Sequence, residues 1–386
     1  MIEKARIEKN LKKYAFPRLS GTVFELMAFN QVKEEIRNLK LDFEVQKFTF
    51  SSFYSRIYPK IAFSFTSLIF FLLYLNIFMS SFSVLILILL TLIIASIVLT
   101  RKPEKIQFIK QSNSQNLLVK IKPRSYNNRN KDRIIIFISH LDSKGQRFKI
   151  KTRIKIIKFW ISSSLILATV IILKNWILNG FELFLYCLGL IPLIANIFAF
   201  ILLLLNKTDN TSKGAVDNAS GITCNLELVT FYSIPENRLD NYHLWFLFTG
   251  AEECGTMGIK YFYNNLENFD PKKSVVFNFE SIARHVYLFP GGNEGVHARN
   301  IDSLLLNNQR DLPIRHFITD RVFGTHSDGG FLGDKGFQGY GIGEVEAYDY
   351  MHTPQDTIDK IDTKILEKVC LVLTDALKEH DTQFFK

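Results

Sequence analysis

The sequence is organised around one short stretch of small and polar residues, Gly214-Ala215-Val216-Asp217-Asn218-Ala219-Ser220-Gly221. Asp217 is the only carboxylate in this stretch, and the small residues on both sides of it leave room for two bound groups to approach. A carboxylate that bridges two metal ions needs such access. A turn of this kind before a helix also serves as an N-cap, so the stretch by itself leaves both interpretations open.

Further candidate residues follow apolar runs on both sides of this stretch. They are His140, Asp142, Glu252, Glu253, Glu280 and, in a later loop, His352. Ligands of open α/β sheets gather outside the carboxyl ends of the strands, so we expect these side chains at one sheet edge. The alternation of short apolar runs with segments of helical spacing predicts an α/β fold with helices on both faces of the sheet.

Four long runs are nearly free of charge, and each is about as long as the roughly 30 Å hydrocarbon core of a bilayer requires. They span residues 61–79, 82–99, 157–173 and 181–205. We interpret them as two transmembrane hairpins, 61–99 and 157–205, inserted into one soluble domain made of residues 1–56, 106–150 and 207–386. The alternative is that they are buried core helices of a soluble protein.

The net charge of +10 does not indicate nucleic-acid binding, because many basic residues flank the apolar runs. In that position they are typical of contacts with anionic lipid. The connections inside the two hairpins carry only Lys174, so the positive-inside rule predicts that the soluble domain is cytoplasmic. The four cysteines are scattered, which gives neither a zinc knuckle nor a disulfide framework.

The residue types indicate a metal centre that hydrolyses its substrate. Two imidazoles with several carboxylates suit zinc. Asp142 lies two residues after His140 in an extended segment, so it points to the same side and can fix the ring tautomer. Adjacent Glu252 and Glu253 repel each other unless a cation or a proton intervenes. We therefore expect Glu253 to ligate metal and Glu252 to take a proton from water. Asp356 is interpreted as a helix cap.

Taken together, these motifs resemble peptidase family M28, the zinc-dependent aminopeptidases. The segments that carry the resemblance are His140-x-Asp142, Asp217 to Gly221, Glu252-Glu253, Asn278-Phe279-Glu280 and Tyr350 to Pro354, with Pro17 to Thr22 as a weaker match to the first-helix region. The resemblance implies a three-layer α/β/α sandwich with a mixed sheet, of the phosphorylase/hydrolase type. It also implies two zinc ions.

The resemblance assigns roles by position. His140 and Glu280 would bind one zinc ion, Glu253 and His352 the other, and Asp217 would bridge them. Glu252 would be the general base, and Asp142 would orient His140. The family often has Asp at the position of Glu280, and the inserted spans are a larger departure.

The resulting hypothesis is a membrane-anchored di-zinc aminopeptidase that cleaves peptides through a zinc-bridging hydroxide. Two alternatives stay open at this point: a glutaminyl cyclase-like acyltransferase with one zinc ion, and a catalytically inactive receptor or scaffold with the peptidase fold.

Overall fold

A computed structural model describes residues 1–77, 111–125, 133–178, 180–266, 270–290 and 327–383, with a few positions between 86 and 93 and between 303 and 316. The chain divides into two compact units. Unit 1 comprises Met1–Phe50, Gln111–Gly145 and Asp209–Lys386, and unit 2 comprises Ser51–Lys110 and Gln146–Thr208. All the candidate site residues lie in unit 1. The predicted span 82–99 lies outside the described residues, apart from isolated positions.

The strands of the described chain are β1 Phe43–Ser51, β2 Gln111–Ile121, β3 Ile134–His140, β4 Gly145–Gln146, β5 Thr208–Asp209, β6 His243–Thr249, β7 Ser274–Phe279, β8 Val286–Pro290, β9 Ile314–His316 and β10 Gln338–Gly343. Eight of them form one sheet in the order β1-β2-β6-β3-β7-β10-β8-β9, and β4 pairs with β5. Strands β6, β3, β7 and β10 run parallel. Strand β2 is antiparallel to β6, and β8 is antiparallel to β10. The sheet is therefore mixed, as predicted.

The central strands form because their apolar side chains are covered on both faces, as is usual for parallel strands. Every residue of β3 is buried. Phe137 points to one face, where its ring stacks on Phe246 and Phe277 with centroids 5.0 and 5.6 Å apart. Ile136 and Ile138 point to the opposite face and belong to a separate apolar cluster, as the two-residue period of a strand requires.

The helices are α1 Lys4–Tyr14, α2 Val23–Asn38, α3 Phe53–Arg56, α4 Tyr58–Tyr74, α5 Ile150–Ile172, α6 Glu182–Leu205, α7 Ser220–Ser233, α8 Met257–Asn264, α9 Asp328–Asp334 and α10 Thr363–Gln383. In unit 1, buried residues of α1, α2, α7 and α10 share the cluster on the Phe137 face of the sheet. Residues of α8 and α9 share the cluster on the other face. The sheet thus lies between two helical layers.

Two local features of unit 1 depart from the sequence pattern. The helical spacing of the apolar residues in α2 favours burial of Phe24 and Met27, but they are 46% and 41% exposed, and Glu25 is buried instead. The polar residues 112–116 are typical of a turn, but they continue β2. Polar residues are tolerated there because the Asn116 side chain accepts a hydrogen bond from Gly250 N at 3.1 Å and donates one to Gly258 O at 2.9 Å.

Unit 2 contains two helices that are long and apolar enough to cross a membrane, Ile150–Ile177 with 28 residues and Glu182–Leu205 with 24. This finding rests on length and composition only. The core helix of a soluble protein, which is mostly buried, passes the same test. Here 33% and 28% of the apolar windows are buried. Helix α4, which covers most of the first predicted span, has 17 residues. Membrane crossing stays a prediction.

Polar side chains connect the helices within unit 2. Asn196 Nδ2 donates to Ser164 Oγ at 2.7 Å, and Trp160 Nε1 donates to Ser67 Oγ at 3.0 Å. Lys174 Nζ donates to the backbone carbonyl of Tyr74 and lies 3.8 Å from the centroid of the Tyr186 ring. Helix α4 therefore packs with α5 and α6 through directional contacts as well as apolar ones.

Candidate metal centre

The sheet brings three of the predicted segments to one edge. Strands β6, β3 and β7 are parallel neighbours, and their register places His140 opposite Thr249 and Ile138 opposite Asn278. Glu280 directly follows β7, and the Glu252–Glu253 pair follows β6 after two residues. The carboxyl ends of these strands therefore carry the candidate side chains, as expected from the position of ligand sites in α/β sheets.

Asp217 lies between two imidazoles. His140 Nε2 is 3.1 Å from Asp217 Oδ1, and His352 Nε2 is 3.0 Å from Oδ2. Glu253 Oε1 lies 2.9 Å from His352 Nε2. Asp217, Glu253 and His352 each present a ligand atom within 4.8 Å of the others, and all three residues are nine-tenths or more buried.

The donor set fits a divalent cation. His140 Nε2 and Glu253 Oε1 are buried, and in the described part of the chain neither atom makes a contact with hydrogen-bond geometry. Leaving such atoms without a partner is costly, and imidazole nitrogens with carboxylate oxygens are the usual protein ligands of zinc. A second group, His285, Glu344 and Glu346, is also close enough to hold an ion, but two of its three members are exposed.

The backbone of the Asp217 turn is held by another acid, Asp356. Its carboxylate accepts hydrogen bonds from Val216 N at 2.7 Å and Asp217 N at 3.2 Å, and the residue is fully buried. The prediction that Asp356 caps the following helix is wrong. The helical turn at Ile358–Lys360 has Thr357 in the N-cap position. Burial, with the charge of Asp217, raises the pKa of Asp356 to about 7.

Asn218 stabilises the other side of the Asp217 turn through hydrogen bonds. Its Nδ2 donates to Phe279 O at 2.8 Å, and its Oδ1 accepts from Gly221 N at 3.1 Å. A Cβ atom at Gly221 would lie 2.2 Å from Asn218 Oδ1, so this close approach requires glycine. The small residues around Asp217 thus allow tight packing of the turn onto the end of β7.

Asp142 holds the turn that carries both glutamates. Its Oδ1 accepts from Glu252 N at 3.1 Å, and its Oδ2 accepts from Glu253 N at 3.0 Å and from Ser20 Oγ at 2.5 Å. His140 Nδ1 is 3.1 Å from the backbone oxygen of Asp142 and 3.5 Å from its carboxylate. The main chain of Asp142 is thus the nearer partner of the imidazole, and the carboxylate mainly orders the turn.

The two adjacent glutamates have opposite pKa shifts. Burial opposes the ionisation of Glu253, but His352 and Lys144, whose Nζ is 2.6 Å from Oε2, outweigh it and lower the pKa to about 2. Burial raises the pKa of Glu252 well above its ordinary value, and neighbouring acids, Glu280 foremost among them, add to this against the effect of His140. Glu253 is therefore suited to bind a cation and Glu252 to carry a proton.

Asp217 and Glu280 also differ. Burial opposes the ionisation of Asp217, but the neighbouring imidazoles of His140 and His352 hold its pKa well below the usual range. Burial and the charge of Asp217 raise the pKa of Glu280 to about 8, against the effect of His140. Glu280 Oε2 accepts from Asn278 Nδ2 at 2.8 Å. The candidate ligand atoms that lie together are those of Asp217, Glu253 and His352, with His140 beside Asp217.

Sequence reasoning missed Asp328, which is 1% exposed. Its Oδ2 accepts from Thr249 Oγ1 at 2.5 Å, and its Oδ1 has no hydrogen-bond partner among the described residues. Its charge is one of the causes that raise the pKa of Glu252. The Ser327-Asp328-Gly329 sequence before a helix was the only local signal. Lys144 is the cation next to Glu253. The sequence contained no signal for this role except that Lys144 is close to Asp142 in the chain.

Comparison with known proteins supports this assignment of fold. Residues 198–376 match the family model described as peptidase family M28. The structure is similar to an aminopeptidase from Aneurinibacillus sp. strain AM-1, with a TM-score of 0.59 and 14% identity over 98% of this chain and 94% of that one. It is also similar to a zinc aminopeptidase from Bacillus subtilis, with a TM-score of 0.56 and 14% identity over 98% and 95% of the two chains.

A glutaminyl cyclase from Fimbriiglobus ruber is similar to almost the same degree, with a TM-score of 0.54 and 14% identity over 98% of this chain and 95% of that one. A search of the curated proteins found no match. Identities this low establish the fold and leave the reaction open. The chain therefore has the α/β fold of the zinc aminopeptidases, and its residues 198–376 match peptidase family M28.

Proposed function

We propose that the protein is a di-zinc metallopeptidase, an aminopeptidase that removes residues from the N-termini of peptides. One observation carries the proposal: the two oxygens of Asp217 face two different imidazoles, those of His140 and His352, at 3.1 and 3.0 Å. A carboxylate that bridges two ions presents its oxygens in this way. In the proposed site, His140 and Glu280 hold one ion and Glu253 and His352 hold the other.

Zinc, when bound, supplies Lewis acidity toward the scissile carbonyl and lowers the pKa of water. The chain supplies the proton transfers. Glu252 accepts a proton from the attacking water and then delivers it to the leaving amine, as a general base and acid. Its burial and the acids around it raise its pKa, which matches a group that must both gain and release a proton. Asp142 keeps Glu252 in place through the Glu252 backbone N–H.

The proposal is tested with the full-length chain and the Glu252→Gln variant, purified in detergent. We expect the wild type to bind about two zinc ions and to hydrolyse a panel of aminoacyl amides. Glu252→Gln should keep its zinc and lose roughly 10²–10⁴-fold in rate, the usual contribution of a general acid–base group.

Glu236, exposed in the described structure, offers a matched control, and Glu236→Gln should leave zinc content and rate unchanged. Full zinc content without hydrolysis by the wild type would contradict the proposal and favour an inactive receptor or scaffold.

A glutaminyl cyclase-like acyltransferase is the second candidate, because one specific observation favours it. The described residues that bring three ligand atoms together at this site, Asp217, Glu253 and His352, make up one ion's ligand set. Zinc content near one ion per chain, with cyclisation of a peptide that begins with Gln, would establish this reaction in place of hydrolysis.

We also propose that unit 2 anchors the chain in a lipid bilayer. Support comes from α5 and α6, which expose large apolar side chains such as Leu183, Ile191 and Leu165 at 78%, 72% and 64%. Apolar surface of this extent is uncommon in contact with water. Anionic lipid next to the basic flanking residues, and a cytoplasmic position of unit 1, belong to the same proposal.

A further inference from the structure

The segment from Arg18 to Glu25, which lies between α1 and the first turn of α2, has no part in the reaction proposed above. Its first residue, Arg18, is nevertheless fully buried. Among the described residues, the five hydrogen bonds of the Arg18 guanidinium all go to backbone carbonyl oxygens. Burying a cation is costly unless hydrogen bonds compensate it, so these carbonyl oxygens and the loops that carry them are held close to Arg18.

The loops joined by Arg18 are those of the metal centre. Arg18 Nε donates to Leu141 O at 2.8 Å, between His140 and Asp142. Arg18 Nη1 and Nη2 donate to Lys213 O and Gly214 O, both at 3.0 Å, at the start of the Asp217 turn. One planar side chain therefore sets the spacing between the His140 loop and the Asp217 turn.

Glu25 holds the third loop from the same segment. Its Oε1 accepts from Ala251 N and from Ser114 Oγ, both at 2.8 Å, and its Oε2 accepts from Gly21 N at 2.6 Å. Ala251 has a φ of 52°, in the left-handed region that non-glycine residues rarely adopt. With the two bonds of Asp142, three consecutive N–H groups, those of residues 251–253, are bound by carboxylates.

We propose that the Arg18–Glu25 segment positions the metal ligands: Arg18 fixes the His140 loop against the Asp217 turn, and Glu25, with Ser20 acting through Asp142, fixes the Glu252–Glu253 turn. This proposal rests on the proposed metal centre and deepens it. Partners of this kind are expected to act on metal affinity, because residues that orient ligands usually contribute 10–100-fold to it.

Zinc affinity tests the proposal without reference to catalysis. The full-length chain and the variants Arg18→Met and Glu25→Gln are titrated with zinc against a competing chelator, and cobalt(II) absorption spectra are recorded for each. We expect zinc affinity to fall about 10–100-fold and the cobalt spectrum to change, in protein that thermal melting shows to be folded. Arg6→Met is the matched control, since Arg6 is a partly buried arginine that binds Glu227 and no loop of the site.

Folded variants with wild-type zinc affinity and an unchanged cobalt spectrum would overturn the proposal, and so would equal losses in Arg6→Met. Ser20→Ala covers the case in which the larger changes do not fold, because it removes only the hydroxyl bonded to Asp142. It should weaken zinc binding about tenfold, and unchanged binding would count against the segment. A wild type that binds zinc but hydrolyses no peptide contradicts the proposed function and leaves this inference standing.

Discussion

The buried acids around the candidate metal centre differ in what they bind. Asp142 and Asp356 accept hydrogen bonds from two backbone N–H groups each, so they order main chain. Asp217 and Glu253 face imidazoles, so they are the acids available to a cation. Both classes are buried carboxylates, so the partner of each acid, and not its residue type, distinguishes a candidate ligand from a support.

Asp356→Asn tests this distinction. The amide keeps one acceptor oxygen, while its NH₂ group faces a backbone N–H of the Asp217 turn. We expect the free energy of unfolding to fall by about 2 kcal/mol, the cost of a buried polar group left unsatisfied, and zinc binding to weaken. Urea denaturation and zinc titration measure the two effects.

The nearby exposed acid Asp359 is the control for this change, since its side chain is 66% exposed. Asp359→Asn should change stability by no more than about 0.5 kcal/mol. Equal effects of the two substitutions would refute the role given to Asp356.

At the scale of elements, a partly buried ion pair joins α1 to α7. Glu227 on α7 is fully buried, and Arg6 Nε and Nη2 each lie 2.7 Å from its oxygens. Glu3 N donates to the same carboxylate at 2.7 Å. These contacts fix the start of α1 against α7.

Arg6→Met leaves the Glu227 charge buried with only one backbone donor. We expect the free energy of unfolding to fall by about 3 kcal/mol, at the lower end for a broken buried pair because Arg6 is 28% exposed. Lys4→Met, which removes an exposed pair with Glu8, should cost less than about 1 kcal/mol. Denaturant unfolding of both variants measures these changes. A loss of stability in Lys4→Met as large as that in Arg6→Met would contradict a stabilising role of the Arg6–Glu227 pair.

At the scale of the molecule, we expect zinc binding to stabilise the fold of unit 1, because the proposed ligands come from the ends of separate strands and loops. Removing zinc with a chelator should lower the free energy of unfolding. The loss is about 4 kcal/mol when free zinc is a thousandfold above its dissociation constant. Thermal melting of the chelated and zinc-loaded chain measures it, and identical melting curves would contradict a zinc site in the folded protein.

The proposed membrane anchor in unit 2 predicts how the whole chain behaves in membrane preparations. Alkaline carbonate should leave the protein in the membrane pellet, and protease added to oriented vesicles should digest unit 1 only from the cytoplasmic face. Ile191→Arg with Ile194→Arg places charge on two exposed positions of α6 and should release the chain, since each arginine costs about 3 kcal/mol at the centre of a membrane helix. Extraction of the wild type by carbonate, or digestion from the opposite face, would contradict the anchor or its orientation.

The sequence by itself determined which segments carry the candidate ligands. Runs such as residues 134–138 and 275–279 are apolar enough to be buried strands, and parallel strands end at a common edge. The sequence therefore predicts that His140, Glu253 and Glu280 lie at one edge of the sheet. Their individual roles at a metal ion stay predictions.

Only the tertiary structure decided which residues hold that site in place. Glu25 lies on a helix whose spacing favours Phe24 at the buried face, and Asp356 has the sequence context of a cap. Their true partners, Ala251 N and Asp217 N, are more than a hundred residues away in the chain. A buried carboxylate is stable only where the fold brings a hydrogen-bond donor to it. Local sequence patterns do not predict such a contact between residues that are distant in the chain.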